Sequence, residues 1–185
     1  MNTLWEGKWI SVVSPVENPY EAVHEKDVII VVARLADTKK WLVRLELCPP
    51  YNIKESDPSP ELRWYTTITG KIEEGEEPRN AAIREVEEEA GIKILDYEAF
   101  EERKNVPVCK STDMRCWLYV LNITDYERVE VVGDGTYYEE KSKTVELTRD
   151  EIASVIEDWN NWDMLFYMAH QFIVKHDLLE VLSRT

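Results

Sequence analysis

The segment formed by residues 70–92, GKIEEGEEPRNAAIREVEEEAGI, limits the possible folds of this chain more than any other part of its sequence. Pro78 suits the first position of an α-helix, because the N–H that proline lacks has no helical partner there. Gly91 suits the left-handed residue that often ends a helix. The sequence therefore predicts a helix over residues 78–90, preceded by a loop over residues 70–77.

This predicted helix carries a cluster of glutamates. Because successive residues of an α-helix are rotated by about 100°, Glu85, Glu88 and Glu89 share one face. We expect a separate apolar face that packs on a sheet, formed by Ala82, Ile83, Val86 and Ala90. Like charges at these spacings repel each other. A bound cation removes the repulsion, and clustered carboxylate oxygens suit Mg²⁺ or Mn²⁺.

The alternative interpretation of the glutamate cluster is an ordinary solvated acidic helix face. Two features favour a metal site. Arg84 lies inside the cluster, where its planar fork of donors can orient carboxylates. The loop before the helix also places Glu76 beside the glutamate face.

The rest of the sequence predicts a mixed sheet sandwiched by helices, in one domain that spans residues 1–185. Residues 27–35 form a near-continuous β-branched run, typical of a buried central strand. Residues 40–47 alternate and are expected to pair with it through a turn at residues 36–39. Further strands are predicted at residues 8–13, 63–69, 92–100, 115–123 and 144–147, with loops at residues 48–61 and 126–143. A capping box of Thr148 and Glu151 predicts a helix start, and a final amphipathic helix covers residues 162–182.

The net charge of −15 excludes some classes of partner. An acidic chain repels phosphate backbones and anionic lipids, so we expect neither nucleic-acid nor membrane binding. A phosphorylated small molecule stays compatible, because a cation held by carboxylates reverses the local field. Cys48, Cys109 and Cys116 lack metal-type spacing and predict buried, reduced thiols in a cytoplasmic protein. We expect no signal peptide or membrane span, since no stretch approaches about 18 consecutive apolar residues.

The helix segment resembles the Nudix box, G-x5-E-x7-R-E-U-x-E-E-x-G-U, in which U is a bulky aliphatic residue. Its nine specified positions are filled by Gly70, Glu76, Arg84, Glu85, Val86, Glu88, Glu89, Gly91 and Ile92. The resemblance implies an α/β/α sandwich with a mixed sheet and a loop-helix-loop metal site. It also implies an Mg²⁺-dependent enzyme, with Mn²⁺ as a possible substitute, that hydrolyses the pyrophosphate bond of a nucleoside diphosphate derivative.

The family pattern also assigns roles within the box. The residues that it makes metal ligands are Glu85 and Glu89 as main ligands, Glu88 as a supporting ligand, and the backbone carbonyl of Thr69. Arg84 belongs to the same catalytic cluster. Glu76 is expected to bind Arg84 and hold the loop against the helix.

Outside the box, the chain resembles the ADP-ribose pyrophosphatase branch of the family. The resemblance rests on Pro107, fifteen residues after Ile92, on the stretch VVARLADTKKWLVRLELCPPY and on the tail VELTRDEI followed by NNWDMLFYMAHQFIV. The Pro-Ala pair usual before the box glycine is replaced here by Ile68 and Thr69. The implied substrate is ADP-ribose or a related ADP-linked compound, cut to a nucleoside monophosphate. The alternatives are a hydrolase of oxidised or other nucleoside triphosphates, of dinucleotides or of a nucleotide sugar, and a non-catalytic module that senses nucleotides.

The branch further implies residues outside the box. It uses a late acidic residue as metal ligand or base, for which Glu140 is the predicted residue, beside Glu139 and with Glu127 and Glu130 as alternates. Candidates for stacking on the base or sugar are Trp9 and Trp64, together with Trp5 and Tyr20, although core packing explains each of them as well. Arg44 and Arg63 are candidates for holding phosphates or ribose. The relatives are dimers whose amino-terminal strands build part of the pocket, so we expect a homodimer in which residues 5–25 contribute.

Overall fold

The structure is a computed structural model that describes residues 2–7, 11–14, 22–47, 62–109, 111–132, 140–158 and 161–183. The strands in these ranges are β1 (Asn2–Glu6), β2 (Ser11–Ser14), β3 (Ala22–His24), β4 (Val28–Leu35), β5 (Trp41–Leu47), β6 (Arg63–Thr66), β7 (Ile68–Lys71), β8 (Ile92–Pro107), β9 (Arg115–Arg128) and β10 (Lys143–Leu147). The helices are α1 (Pro78–Ala90), α2 (Arg149–Glu157) and α3 (Met164–Ser183).

The described strands form two sheets. Strands β1, β2 and β3 make an antiparallel three-stranded sheet in that order. The larger sheet runs β10-β5-β4-β9-β8, with β6 paired to β5 and β7 paired to β4. Strands β4 and β9 are parallel from the Val28–Cys116 pair to the Leu35–Ile123 pair, whereas the other described pairings of this sheet are antiparallel. The predicted mixed sheet is therefore confirmed.

Helices cover both faces of the central strand β4. On one face, Ile29 belongs to an apolar cluster with Val86 of α1. On the other, Ile30 belongs to a second cluster with Ile152 of α2 and Phe166 of α3. Successive side chains of a strand point to opposite faces, so an uninterrupted apolar strand needs a cover on both sides. The predicted α/β/α sandwich is confirmed.

The ends of α1 and α2 agree with the sequence. Helix α1 begins at Pro78, and Gly91 after its last residue has a left-handed φ of 63°. Helix α2 begins with the capping box, in which the Glu151 N–H donates to Thr148 Oγ1 at 3.3 Å and the Thr148 N–H donates to Glu151 Oε2 at 2.7 Å. Both predictions depended only on residues close in sequence, and both are confirmed.

One predicted strand is in fact two. The segment predicted as a single strand at residues 63–69 is divided at Thr67 into β6 and β7, which pair with β5 and β4 respectively. One straight strand cannot pair with both neighbours, so the chain crosses over at Thr67. Strand β7 also continues through Gly70 to Lys71, which corrects the predicted loop at residues 70–77.

The hairpin of β8 and β9 is longer than its apolar residues indicate. Strand β8 continues from the predicted end at residue 100 to Pro107, and β9 continues from residue 123 to Arg128. Backbone pairing with β9 accommodates the charged run EERKN, helped by register shifts between Ala99 and Glu101 and between Arg103 and Val106. Alternation of side chains alone does not reveal such bulges.

Several other predictions are wrong in part or fall partly outside the described residues. Cys116 is buried and free, but Cys109, just beyond β8, is free and exposed, so the prediction of buried thiols is wrong there. Cys48, the predicted loop at residues 48–61 and residues 133–139 lie outside the described residues. The predicted strand at residues 8–13 is described only from Ser11, where β2 begins. None of the helices in the described part of the chain is long and apolar enough to span a membrane.

Candidate functional site

Helix α1 turns two of its glutamates toward the sheet. Glu85 and Glu89 are 9% and 7% exposed, and they share the buried side of α1 with Ala81, Ala82 and Val86. The predicted separation of acidic and apolar faces is therefore wrong, and Ile83 lines an open cavity instead of the core. Burying carboxylates is unfavourable unless they are paired or bind a cation, so both glutamates require charged partners.

Strand β7 makes room for the first of these carboxylates at Gly70. An ideal Cβ on residue 70 would lie 1.9 Å from Oε1 and 2.0 Å from Cδ of Glu85. Only glycine allows the backbone to approach the side chain this closely. Burial raises the pKa of Glu85, and the hydrogen bond and charge of Arg84 offset this only in part.

Arg84 connects the loop to the exposed side of the cluster. Its Nη1 donates at 2.8 Å both to Glu85 Oε1 and to Glu88 Oε2. Its Nε and Nη2 donate to the two carboxylate oxygens of Glu76 at 3.0 and 3.1 Å, and Nη2 also donates to the Lys71 carbonyl at 3.1 Å. These hydrogen bonds lower the pKa of Glu76 and raise the pKa of the Arg84 guanidinium further. The loop is thereby fixed to the helix at the position that the family pattern assigned to Glu76.

A different arginine contacts Glu89. Arg44 of β5 is 3% exposed, and its Nε lies 3.3 Å from Glu89 Oε2. Its Nη1 donates to the main-chain carbonyl of Glu89 at 3.1 Å, and Thr144 Oγ1 donates to the same carbonyl at 2.7 Å. Thr144 of β10 lies directly opposite Arg44 in the sheet. The last turn of α1 is therefore attached to two neighbouring strands.

Arg84 and the glutamates that it and Arg44 contact on α1 line one cavity of ≈ 570 Å³. Its lining residues are Lys26, Thr69, Gly70, Lys71, Ile72, Glu73, Arg84, Glu85, Glu88, Glu89 and Val132. The four predicted metal ligands, with the box glycine Gly70, thus line a common space. Of the three α1 glutamates that line it, Glu88 is the most open, with a side chain that is 41% exposed.

A second cavity of ≈ 530 Å³ shares Arg84, Glu88 and Val132 with the first. It is lined by Asn80, Ile83, Arg84, Glu87, Glu88, Glu130 and Val132. Of the two alternates for the late acidic residue, Glu130 therefore lies beside the glutamate cluster, whereas Glu127 pairs with Lys93 at 3.0 Å. Val132 lines both cavities, so the segment after β9 borders the site.

The donor set fits a hard divalent cation. Carboxylates of Glu85, Glu88 and Glu89 and the carbonyl of Thr69 are oxygen ligands of the kind that Mg²⁺ and Mn²⁺ take. Among the described residues, no three acidic, histidine or cysteine side chains are already gathered into a ready metal-binding group. Arg84 binds one oxygen each of Glu85 and Glu88, so a cation would share these carboxylates with the guanidinium.

The remaining predicted residues lie farther along the sheet or outside the described ranges. Arg63 donates from Nε to the Lys141 carbonyl at 2.8 Å, which brings it next to Glu140, an exposed residue in a helical segment. Trp64 is half-buried on β6 and lies opposite Glu46 of β5. Trp9, Tyr20 and Glu139 are outside the described residues. Substrate roles for Arg44, Arg63, Trp9 and Trp64, and the role of Glu140, stay predictions.

Sequence reasoning missed Lys26, Thr144 and Val132. Lys26 precedes β4 and lines the cavity because β4 pairs with β7 beside the glutamate cluster. Thr144 reaches the end of α1 only because β10 pairs with β5. No local pattern marks these residues, since their places depend on strand pairing across the sheet.

The chain resembles known proteins both in sequence and in fold. A family model described as a NUDIX domain matches residues 24–172. Among solved structures, the fold is similar to the crystal structure of an ADP compounds hydrolase, with a TM-score of 0.63 and 18% sequence identity, over 100% of this chain and 94% of that chain. No curated protein matches the sequence. The structural similarity concerns the fold, whereas the family match covers the segment that carries the glutamate cluster.

Proposed function

Because this chain belongs to the Nudix family of pyrophosphohydrolases, we propose that it hydrolyses the pyrophosphate bond of a nucleoside diphosphate derivative in an Mg²⁺-dependent reaction, with Mn²⁺ as a substitute. The observation that carries the proposal is the common cavity lined by Glu85, Glu88, Glu89 and Thr69. A pyrophosphate group bound there would lie beside oxygen ligands of the kind that a divalent cation takes.

The proposed substrate is ADP-ribose or a related ADP-linked compound. The fold is shared with an ADP compounds hydrolase, which is consistent with this choice. Charge supports it as well, because the basic side chains that line the cavity within the described part of the chain are Lys26, Lys71 and Arg84, and Arg84 already binds three glutamates. A triphosphate needs more cationic groups than a diphosphate ester. Oxidised or other nucleoside triphosphates, dinucleotides and nucleotide sugars are the alternative substrates.

Different residues of the chain have different roles in the proposed reaction. Glu85 and Glu89 would hold the cation, with Glu88 and the Thr69 carbonyl in support. When bound, a divalent cation would supply Lewis-acid chemistry, namely polarisation of the phosphoryl group and a lower pKa of the attacking water. Arg84 keeps the carboxylates in place, and Lys26 and Lys71 offset phosphate charge at the cavity wall.

A carboxylate from the late part of the chain takes the proton of the attacking water. Glu140 is the proposed base, and Glu130 is the alternate that the second cavity favours. Water attacks one phosphorus in line, the bridging P–O bond breaks, and a nucleoside monophosphate and the phosphorylated second half leave. Water supplies the hydroxyl group and the proton, so the step balances without another reactant.

We further propose that the protein is a cytoplasmic homodimer. Free thiols at Cys109 and Cys116 are consistent with a reducing compartment. Leu4 and Trp5 on β1 are 54% and 55% exposed, which gives the small sheet an apolar surface suited to a second copy. The net charge of −15 supports a small-molecule substrate over nucleic acid.

The test is kcat/KM measured side by side on ADP-ribose, a dinucleotide, a nucleotide sugar and a set of nucleoside triphosphates. We expect turnover with Mg²⁺ or Mn²⁺, none in excess EDTA, and the highest value for ADP-ribose or another ADP-linked compound. Full activity in excess EDTA contradicts the metal-dependent reaction. Preference for a triphosphate by about tenfold, a margin of about 1.4 kcal/mol in transition-state binding, contradicts the substrate assignment alone. Nucleotide binding with Mg²⁺ but without turnover identifies a sensing module.

A further inference from the structure

We infer that Arg44 is a positioning residue that holds Glu89 in the orientation needed for metal binding, an inference that rests on the proposed function. Arg44 lies on β5, far in sequence from the box, and is 3% exposed. Its two contacts with Glu89 reach different parts of that residue, the carboxylate at 3.3 Å and the main-chain carbonyl at 3.1 Å. One rigid guanidinium therefore lies against both parts of Glu89, as an ion pair with the carboxylate and as a hydrogen-bond donor to the carbonyl.

The position of Glu89 in α1 explains why it needs this support. The last carbonyls of a helix have no partner within the helix. The Gly91 N–H donates to the carbonyls of Glu87 and Val86. The Glu89 carbonyl accepts instead from Arg44 at 3.1 Å and from Thr144 at 2.7 Å. The turn that carries this glutamate is thus held by β5 and β10.

The two arginines of the site hold different glutamates. Arg84, on α1 itself, binds Glu85 and Glu88. Arg44 reaches Glu89 from the sheet, so the orientation of this ligand depends on how α1 sits on β5. Because a cation bound by Glu89 is repelled by the positive charge of Arg44, we assign the benefit of this arginine to geometry and not to charge.

The charge balance around Arg44 agrees with this role. A buried guanidinium is unfavourable unless it is paired. Its Nε lies 3.3 Å from Glu89 and 3.5 Å from Glu46, the next residue on the same face of β5. The carboxylate of Glu46 therefore still neutralises Arg44 when Glu89 ligates a metal.

The experiment measures Mn²⁺ binding to the full chain by the loss of the free Mn²⁺ signal in electron paramagnetic resonance. Arg44→Lys keeps the positive charge but loses the fork, so it isolates geometry from electrostatics. Arg34→Lys is the matched control, since Arg34 is a buried arginine of β4 that lies over Trp41. Thermal melting establishes that each variant is folded.

We expect Arg44→Lys to raise the Mn²⁺ dissociation constant about 10–100-fold, the usual effect of losing a residue that orients a metal ligand. Arg34→Lys should stay within about twofold of wild type. In the hydrolysis assay, Arg44→Lys should lower kcat while KM changes little. A raised KM with unchanged Mn²⁺ affinity overturns the inference and identifies Arg44 as a phosphate or ribose contact, as the sequence first suggested.

A second pair of variants decides the case in which Arg44→Lys does not fold. Thr144→Val removes the hydroxyl that donates to Glu89 at 2.7 Å, and Thr144→Ser keeps it. If Thr144→Val binds Mn²⁺ more weakly than wild type and Thr144→Ser binds it with wild-type affinity, the result supports anchoring of the helix end by the hydroxyl. Wild-type affinity in both overturns it.

The wild-type protein separates this inference from the proposed function. Failure of wild type to bind Mn²⁺ refutes the metal-dependent reaction itself. Binding of Mn²⁺ without hydrolysis refutes the proposed function, while the comparison of Mn²⁺ affinities still tests Arg44.

Discussion

The backbone of Gly70 passes so close to the carboxylate of Glu85 that an ideal Cβ on residue 70 would lie 1.9 Å from Oε1 of Glu85. Gly70→Ala must therefore displace Glu85. Because the side chain of Glu85 can rotate, we expect the fold to persist while kcat falls about a hundredfold, the effect of displacing a reacting group by about 1 Å. Steady-state kinetics at saturating Mg²⁺ and a thermal melt measure the two effects.

The matched control for this substitution is Gly75→Asn. Gly75 has a φ of 78° and nothing within 4 Å of its ideal Cβ, and asparagine tolerates left-handed backbone better than most residues. Gly75→Asn should keep most of the activity. Wild-type turnover of Gly70→Ala would show that the contact between β7 and Glu85 does not matter for the reaction.

Glu89→Gln should lower kcat roughly a hundredfold or more, because a metal ligand and the associated charge stabilisation are lost together. Relief of repulsion within the glutamate cluster favours an unchanged or higher Tm. The ion pair with buried Arg44 acts in the opposite direction. Leaving a buried polar group unsatisfied costs about 1–3 kcal/mol, and a charged group costs more, so we expect a lower Tm without metal.

Glu157→Gln is the control for Glu89→Gln, since Glu157 is an exposed residue at the end of α2. It should leave both kcat and Tm near wild type. Near wild-type turnover by folded Glu89→Gln would refute the assigned metal site.

Stability should depend on pH through the pair formed by His176 and Glu101. Burial and then the charge of Lys175 lower the pKa of His176, and Glu101 offsets this in part. Since the folded pKa lies below the unfolded value of about 6.5, the unfolded chain takes up the proton first as the pH falls. The stabilisation is present at pH above about 6.5 and is lost as the pH falls through the folded pKa.

Burial tends to raise the pKa of Glu101, but Lys175, Arg103 and His176 lower it by more, so its net shift is downward. The stabilisation that Glu101 contributes is also lost as the pH falls, but below about pH 4.3. Urea unfolding at pH 7.5 and pH 5.5 therefore separates the contribution of the histidines from that of Glu101. We expect the loss of stability between these values to be smaller in His176→Gln than in wild type.

His170, whose pKa is also lowered by burial, stays in the His176→Gln variant and leaves a residual dependence. Equal losses in variant and wild type would exclude His176 as a source of the pH dependence.

Assembly should depend on the apolar surface of β1. We expect light scattering to give twice the 21.7 kDa mass of one chain at micromolar concentration. Trp5→Ser should shift the protein toward monomer, because Trp5 is 55% exposed in the single chain. Met164→Ser, at a residue of α3 that is 75% exposed, is the control and should remain dimeric. A monomeric wild type contradicts the prediction.

Features that depend on neighbouring residues were predictable from the sequence. Pro78 and Gly91 define both ends of α1, and Thr148 with Glu151 defines the start of α2. The spacing of the glutamates and Arg84 identified the family, because the box is contiguous in sequence. These are local properties, in which a helix repeat of 3.6 residues or a capping hydrogen bond decides the outcome.

Features that depend on pairing between distant segments were not predictable. The division at Thr67, the entry of Gly70 into β7 and the extension of β8 to Pro107 each follow from a partner strand. A polar strand gains backbone hydrogen bonds from its neighbour whatever its side chains, so the alternation of apolar residues underestimates its length.

The sequence by itself determined the ends of α1, the family and the cluster that carries the chemistry, because all of these lie within residues 70–92. Only the tertiary structure decided that Glu85 and Glu89 are buried, that Gly70 makes room for Glu85, and that Arg44 and Thr144 hold the end of the helix. The physical reason is that a buried charge requires partners that approach in space, and here those partners come from strands β5, β7 and β10.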